Sequence, residues 1–169
     1  NRWIALIDQR IAIVGGTGQF GKHLGEELEE DNEIVISGSS VERAREEAEP
    51  RGWEYGEGKD IVNDADVVII SVPIHLTIDV INEVGPNVSD DALLTDVTSV
   101  KQEPVEAMSQ YSDEVLGMHP MYAPSNSIEG QKIVMCPEKG KKWSMFEEFW
   151  EKNGADLHFT DPKSHDKAT

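Results

Sequence analysis

The sequence predicts a doubly wound α/β domain built on a mostly parallel sheet, and three observations predict it. Short β-branched runs alternate with amphipathic stretches of about ten residues. A cluster of glycines falls between the first apolar run and the first amphipathic stretch. Residues 65–72 (ADVVIISV) carry almost no polar interruption, the pattern of a strand buried on both faces of a parallel sheet.

Taken in chain order, residues 10–14 (RIAIV) make the first strand and residues 18–30 the first helix, with Phe20, Leu24 and Leu28 at helical spacing. Residues 33–37 (EIVIS) form a second strand, and residues 41–49 (VERAREEAE) a charged helix stopped by Pro50. Residues 65–72 supply the central strand, followed by a helix with Leu76, Val80, Ile81 and Val84 on its apolar face. A strand over 92–95 and a helix over 103–108 continue the alternation. Strands near 115–117 and 132–136, an aromatic helix over 143–150 and a last strand over 156–159 complete it. Residues 1–9 show no pattern and stand as an unassigned leader ahead of one domain, residues 10–169. A chain of 169 residues, 38% hydrophobic, supports one compact core and not two.

Composition narrows the partners. Residues 67–74 are the longest apolar stretch, far short of the roughly 20 residues a membrane span needs, and no secretion signal opens the sequence, so a cytoplasmic location is expected. The single cysteine, Cys136, excludes an internal disulfide and a cysteine-based zinc cluster, and its apolar flank reads as a buried spectator; no metal site is expected. A net charge of −18, from 33 acidic and 15 basic residues, argues against a nucleic-acid partner. Solvated helix faces and adaptation to high salt both account for that acidity. An anionic ligand must therefore be held by backbone donors and a few placed cations.

Gly16-Thr17-Gly18-Gln19-Phe20-Gly21 provides such donors, since it matches G-x-G-x-x-G between a predicted strand and a predicted helix. In a Rossmann-type fold the first glycine makes the turn, the second admits a pyrophosphate, and the third lets helix pack on strand. A dinucleotide cofactor is expected there. Sites for NAD place an acidic residue about 20 positions further on, and here the second strand ends in Ser37-Gly38-Ser39-Ser40 with Arg43 one turn on. Hydroxyls and a guanidinium suit a ribose phosphate, so NADP is favoured and NAD is the alternative. The competing reading makes Ser39 or Ser40 a helix cap and puts Arg43 on a solvated face.

Further motifs stand at the ends of predicted strands: SVPIHLT (71–77), DVTSVK (96–101) and GMHPMYAPS (117–125), with SHD (164–166) closing the chain. In this order and spacing they resemble the cofactor domain of prephenate dehydrogenases, most of all the domain fused to chorismate mutase in some bacteria. The resemblance spans residues 11–169. It implies NADP-dependent oxidative decarboxylation of prephenate to 4-hydroxyphenylpyruvate, in tyrosine biosynthesis. It further implies that His119 is the catalytic base and that Ser99 helps order substrate and histidine. A neutral imidazole suits the first role, because a ring hydroxyl sheds its proton as it becomes a carbonyl.

By the same resemblance Ser71, Val72 and Pro73 lie beside the cofactor, together with Asp96; His75, just past the central strand, is expected near the cofactor, with a structural helix-start histidine as the equal alternative. Lys101 is expected to orient Asp96 or to approach the nicotinamide side, a solvated first-turn lysine being the commoner case. His165 and Asp166 are expected to be structural, at the junction with a following domain, with a place near the substrate as the further reading. In that family a helical C-terminal domain supplies homodimer contacts and an arginine for the substrate, and none of it is represented before Thr169. The alternatives are arogenate as substrate, hydride exchange between NADP and a deazaflavin, and a nucleotide-binding domain without catalysis.

Overall fold

The computed structural model describes residues 5–168. Their elements in order are β1 (Arg10–Val14), α1 (Gln19–Leu28), β2 (Glu33–Ile36), α2 (Val41–Ala48), β3 (Glu54–Tyr55), α3 (Gly58–Ile61), β4 (Val67–Ile70) and α4 (Thr77–Val84). Then come β5 (Leu93–Asp96), α5 (Gln102–Met108), β6 (Glu114–Pro120), β7 (Lys132–Lys139), α6 (Ser144–Lys152), β8 (Asp156–Phe159) and α7 (Pro162–Ala168). The strands of the described residues join one sheet in the order β3-β2-β1-β4-β5-β6-β7-β8. Pairing is parallel from β3 to β6, antiparallel between β6 and β7, and parallel again between β7 and β8.

The predicted doubly wound sheet is therefore the observed one, with β4 in its interior between β1 and β5. All four residues of β4 (VVII) are buried because helices cover both faces. Alternate residues of each strand feed two cores. Ile11 and Ile13 pack with Leu24 and Leu28 of α1 and with Phe146, Phe149 and Trp150 of α6. Ala12 and Val14 pack with Ile81 and Val84 of α4 and with Val105 and Met108 of α5. Burial of Phe146 and Trp150 to zero exposure contributes about 2–3 kcal/mol for each side chain, so α6 is fixed by its aromatic face.

Several local features depart from the sequence reading. α2 ends at Ala48, but Pro50 does not stop the chain's turning. It sits at the start of a 3-10 turn, Glu49–Arg51, where no amide hydrogen is needed, and Gly52 at φ 73° ends that turn. β3 is two exposed residues long and α3 is four, both too short to show a period. α7 has no apolar periodicity, yet it carries a readable start: Asp161 accepts from the Ser164 amide (2.8 Å) and hydroxyl (2.7 Å), with Pro162 in the first helical position. In the leader, residues 1–4 lie outside the described residues. Leu6 is buried in the α1 core, its carbonyl accepts from Asn32 Nδ2, and Asp8 turns the chain at φ 57°.

Candidate active site

Strand order reverses at β1, which pairs with β2 on one side and β4 on the other, so a crevice opens at the carboxyl ends of β1 and β4. The sharp turn there belongs to Gly15, which stands ahead of the glycine motif. Gly15 has φ +89°, and a Cβ on it would lie 2.1 Å from the Ser71 carbonyl oxygen. Gly16 continues the turn by donating to the Ile13 carbonyl at 3.2 Å. A Cβ on Gly21 would come within 2.7 Å of Gly15 O, so α1 rests directly on the turn. Gly18 is uncrowded, the nearest atom to such a Cβ being Gly15 O in ordinary contact at 3.4 Å.

No side chain caps α1, and no acidic residue occupies its first turn. The opening amides, including those of Gln19 and Phe20, therefore keep their donor capacity at the positive end of the helix. The crevice encloses about 350 Å³ and is lined by Thr17, Gly18, Ser37, Ser39, Ser71 and Val72, among others. Its dimensions, open backbone and bare helix start fit a dinucleotide diphosphate. Gln19 is exposed beside it, whereas the Phe20 ring turns inward, 5.4 Å from the rings of His23 and Tyr122. The Ser71 amide donates to the Val14 carbonyl at 2.8 Å and joins the two strand ends. Pro73 and His75 are exposed around the 3-10 turn Ile74–Leu76 on the far rim.

At the end of β2 the serines divide their work. Ser37 is buried, and its hydroxyl accepts from the Gly15 amide at 3.4 Å, tying β2 to the glycine turn. Ser40 caps α2 by accepting from the Arg43 amide at 3.1 Å. Ser39 is exposed on the crevice wall. The exposed Arg43 guanidinium lies 3.8 Å from Glu47. No carboxylate occupies the turn from Ser37 to Ser40.

Register carries the crevice level across the sheet, because Val14 pairs with Ile70, Ile70 with Asp96, and Asp96 with Gly117. His119 stands two residues beyond that row on β6, on the same carboxyl edge. Its ring is half-buried, and its Nδ1 is 2.9 Å from Nε2 of His165 on α7. Burial, then the His165 and Lys101 charges, lower its pKa to about 4, so it is neutral near pH 7 with a lone pair to accept a proton. His165 in turn bonds Asp166 Oδ1 through Nδ1 at 2.8 Å. Asp166 accepts from the amides of Lys101 (2.8 Å) and Gln102 (2.9 Å) at the start of α5.

Two expectations are corrected here. Asp96 does not reach the crevice surface: it is wholly buried, and its Oδ2 accepts from Lys101 Nζ and from the Thr98 amide. Lys101 orients Asp96, one of the two roles expected for it, but is wholly buried and not solvated, and also donates to the Met118 carbonyl at 2.7 Å. Burial raises the carboxyl of Asp96 and lowers the ammonium of Lys101, each being pressed toward its neutral form. Ser99 is exposed on the loop from β5 to α5, and the His119 ring bonds the His165 ring. Cys136 is buried on β7 with its thiol pushed up to about 12 by burial, so it stays protonated and inert.

Sheet order, bare helix start and crevice together define a nucleotide-binding α/β domain of the Rossmann type. The family described as prephenate dehydrogenase, nucleotide-binding domain, matches residues 24–159, and the chain belongs to that family. It is 33% identical over 167 residues to a probable arogenate/prephenate dehydrogenase of Methanocaldococcus jannaschii, covering 93% of this chain and 37% of that protein. It is 36% identical over 162 residues to the T-protein of Enterobacter agglomerans, covering 93% and 39%. The chain thus spans about two fifths of the length of these relatives. A crystal structure of prephenate dehydrogenase from A. aeolicus, in complex with hydroxyphenyl propionate and NAD+, shares the fold at a TM-score of 0.79. That match has 22% identity and covers 95% of this chain and 62% of that one. Among the described residues no helix is long and apolar enough to cross a membrane.

Proposed function

We propose that this chain is the cofactor-binding part of an NADP-dependent dehydrogenase that converts prephenate to 4-hydroxyphenylpyruvate and carbon dioxide. The observation that carries the reading is His119: a neutral imidazole on the carboxyl edge of β6, level with the diphosphate crevice but left half open. Membership of the family and the likeness to dehydrogenases for prephenate and arogenate support the substrate class. The crevice between β1 and β4 holds the diphosphate on the α1 amides. Ser39, the Ser40 hydroxyl proton and Arg43 receive the ribose phosphate, which favours NADP because no carboxylate waits there for a ribose hydroxyl.

When bound, the nicotinamide supplies the hydride acceptor. His119 takes the proton of the ring hydroxyl as that carbon becomes a carbonyl. Loss of carbon dioxide then returns an electron pair to the ring, and the proton goes back to the phenolate oxygen. Asp96, Lys101 and the Met118 carbonyl brace the strand from beneath, holding β5 and β6 in register at the site.

The test is turnover of prephenate and of arogenate, with NADP or NAD, by the protein as its gene encodes it and by its His119→Asn form. The expected result is NADP reduction with prephenate and a loss of roughly 100-fold or more in kcat in the variant. Unchanged turnover in the variant removes His119 from this role. Faster turnover with arogenate overturns the choice of substrate.

A further inference from the structure

His119 meets a second imidazole in the fold. From Asp166 through His165 to His119 runs an unbroken line of hydrogen bonds, 2.8 Å and then 2.9 Å long. The line is anchored where Asp166 takes the first amides of α5. Of the seven residues of α7 only His165 is buried, and the helix packs against α5.

The direction of every bond follows from its end. Burial alone would raise the Asp166 carboxyl, but the Gln102 amide, the His165 ring and the Lys101 amide together hold it below the usual carboxylate range. An anionic carboxylate only accepts, so His165 carries its hydrogen on Nδ1. With a single hydrogen on His165, its Nε2 is a lone pair, and the bond at 2.9 Å then has its hydrogen on His119 Nδ1. His119 is left with its lone pair on Nε2, the nitrogen a proton donor on the open side would meet.

We propose that His165, backed by Asp166, is a positioning residue that fixes the tautomer of His119 and stores the proton His119 accepts. This rests on the dehydrogenase reading above. As the substrate hydroxyl gives its proton to His119 Nε2, the hydrogen on His119 Nδ1 passes across to His165 Nε2. The positive charge then resides on His165, beside the carboxylate of Asp166. The reverse shift returns the proton to the phenolate oxygen, so no proton is gained or lost over the cycle.

The surroundings say why a partner is needed. Burial, then His165 and the nearby Lys101, lower the basicity of His119, and Asp166 raises it. Besides Asp166, Lys101 with its partner Asp96 acts on His119. Asp166 brings a carboxylate to the end of the line, and it brings it to His165. The two rings stand nearly perpendicular, 81° apart with centroids at 5.1 Å, which is edge-on hydrogen bonding and not stacking.

The test uses the protein as its gene encodes it. His165→Gln keeps an oxygen to accept from His119 Nδ1 but cannot hold a proton, and Asp166→Asn removes the charge while keeping the shape. Both are expected to lower kcat, His165→Gln by roughly 100-fold. KM for NADP should stay unchanged, and the acidic limb of the kcat profile should move. Nitrogen NMR of the parent without substrate should show His119 protonated on Nδ1 and bare on Nε2. A folded His165→Gln protein with kcat within about twofold of the parent overturns the storage role. The opposite tautomer on His119 overturns the positioning role, and that spectrum requires no variant to fold. If the parent fails to oxidise prephenate, the proposed function falls on its own, and the nitrogen spectrum still decides the tautomer.

Discussion

Lys101 places its ammonium 2.5 Å from Asp96 Oδ2 with both side chains wholly out of solvent, directly beneath the edge that carries His119. The pair spans the end of β5 and the entry to α5, and the Met118 carbonyl on β6 takes a second ammonium hydrogen. Three elements of the site therefore share one buried charge pair.

Removing one member leaves the other charged, buried and unpaired. Lys101→Met should destabilise the fold by about 3–5 kcal/mol, and Asp96→Leu by a similar amount. The double variant, which buries no charge, should recover most of that loss. Urea unfolding of the four proteins gives the comparison, and a double variant no more stable than the single ones would show that the pair does not act as a unit.

Gly15 and Gly52 both have positive φ, but only one is crowded. Gly52→Ala meets nothing within 4 Å and should cost about 1 kcal/mol. Gly15→Ala sets a methyl 2.1 Å from the Ser71 carbonyl, so the turn must open and β1 must part from β4. Its loss should exceed about 3 kcal/mol, with nucleotide affinity falling alongside. Thermal unfolding with and without NADP separates the two variants.

The fold was legible wherever the signal was local. The run from Arg10 to Val14, the glycines and the Leu24 and Leu28 stripe lie within one helical period or one strand of each other, and they fix β1, the turn and α1. The site was legible only as isolated candidates, because its bonds join distant residues: 46 positions separate His119 from His165, and 65 separate Lys101 from Asp166. Lys101 read as solvated because a charge in a polar stretch shows no partner, and its burial depends on Asp96 and on a carbonyl from another strand. The turn was credited to Gly16 because the motif begins there, while the positive φ falls on Gly15, set by the approach of β4.

His119 also gives the fold a pH dependence with a definite sign. Its folded pKa, about 4, lies below the ordinary 6.5, so between these values the unfolded chain binds more protons. Stability should be fully present above about pH 6.5 and decline as pH falls toward 4. His23, also lowered by burial, contributes with the same sign. Melting temperatures of the parent should fall more steeply through that window than those of His119→Gln, which lacks the titrating ring, and parallel curves would contradict the assignment.

In the proposed reading Arg43 sets the preference between cofactors, and its present partner bears on its recruitment. Its guanidinium is 3.8 Å from Glu47, a carboxylate that Arg51 approaches to 3.1 Å and Lys22 to 3.5 Å. Arg43 can therefore swing toward a ribose phosphate on the Ser39 side without leaving Glu47 unpaired. Arg43→Glu should weaken NADP binding roughly 10- to 100-fold, the range of a charge-assisted contact, and leave NAD nearly unchanged. Raising the ionic strength should weaken NADP in the parent and narrow the gap to the variant, because an exposed cation is screened within about 10 Å at 0.1 M salt. Titration by tryptophan fluorescence at two salt concentrations measures both effects, and tighter binding of NAD than NADP by the parent would refute the role of Arg43.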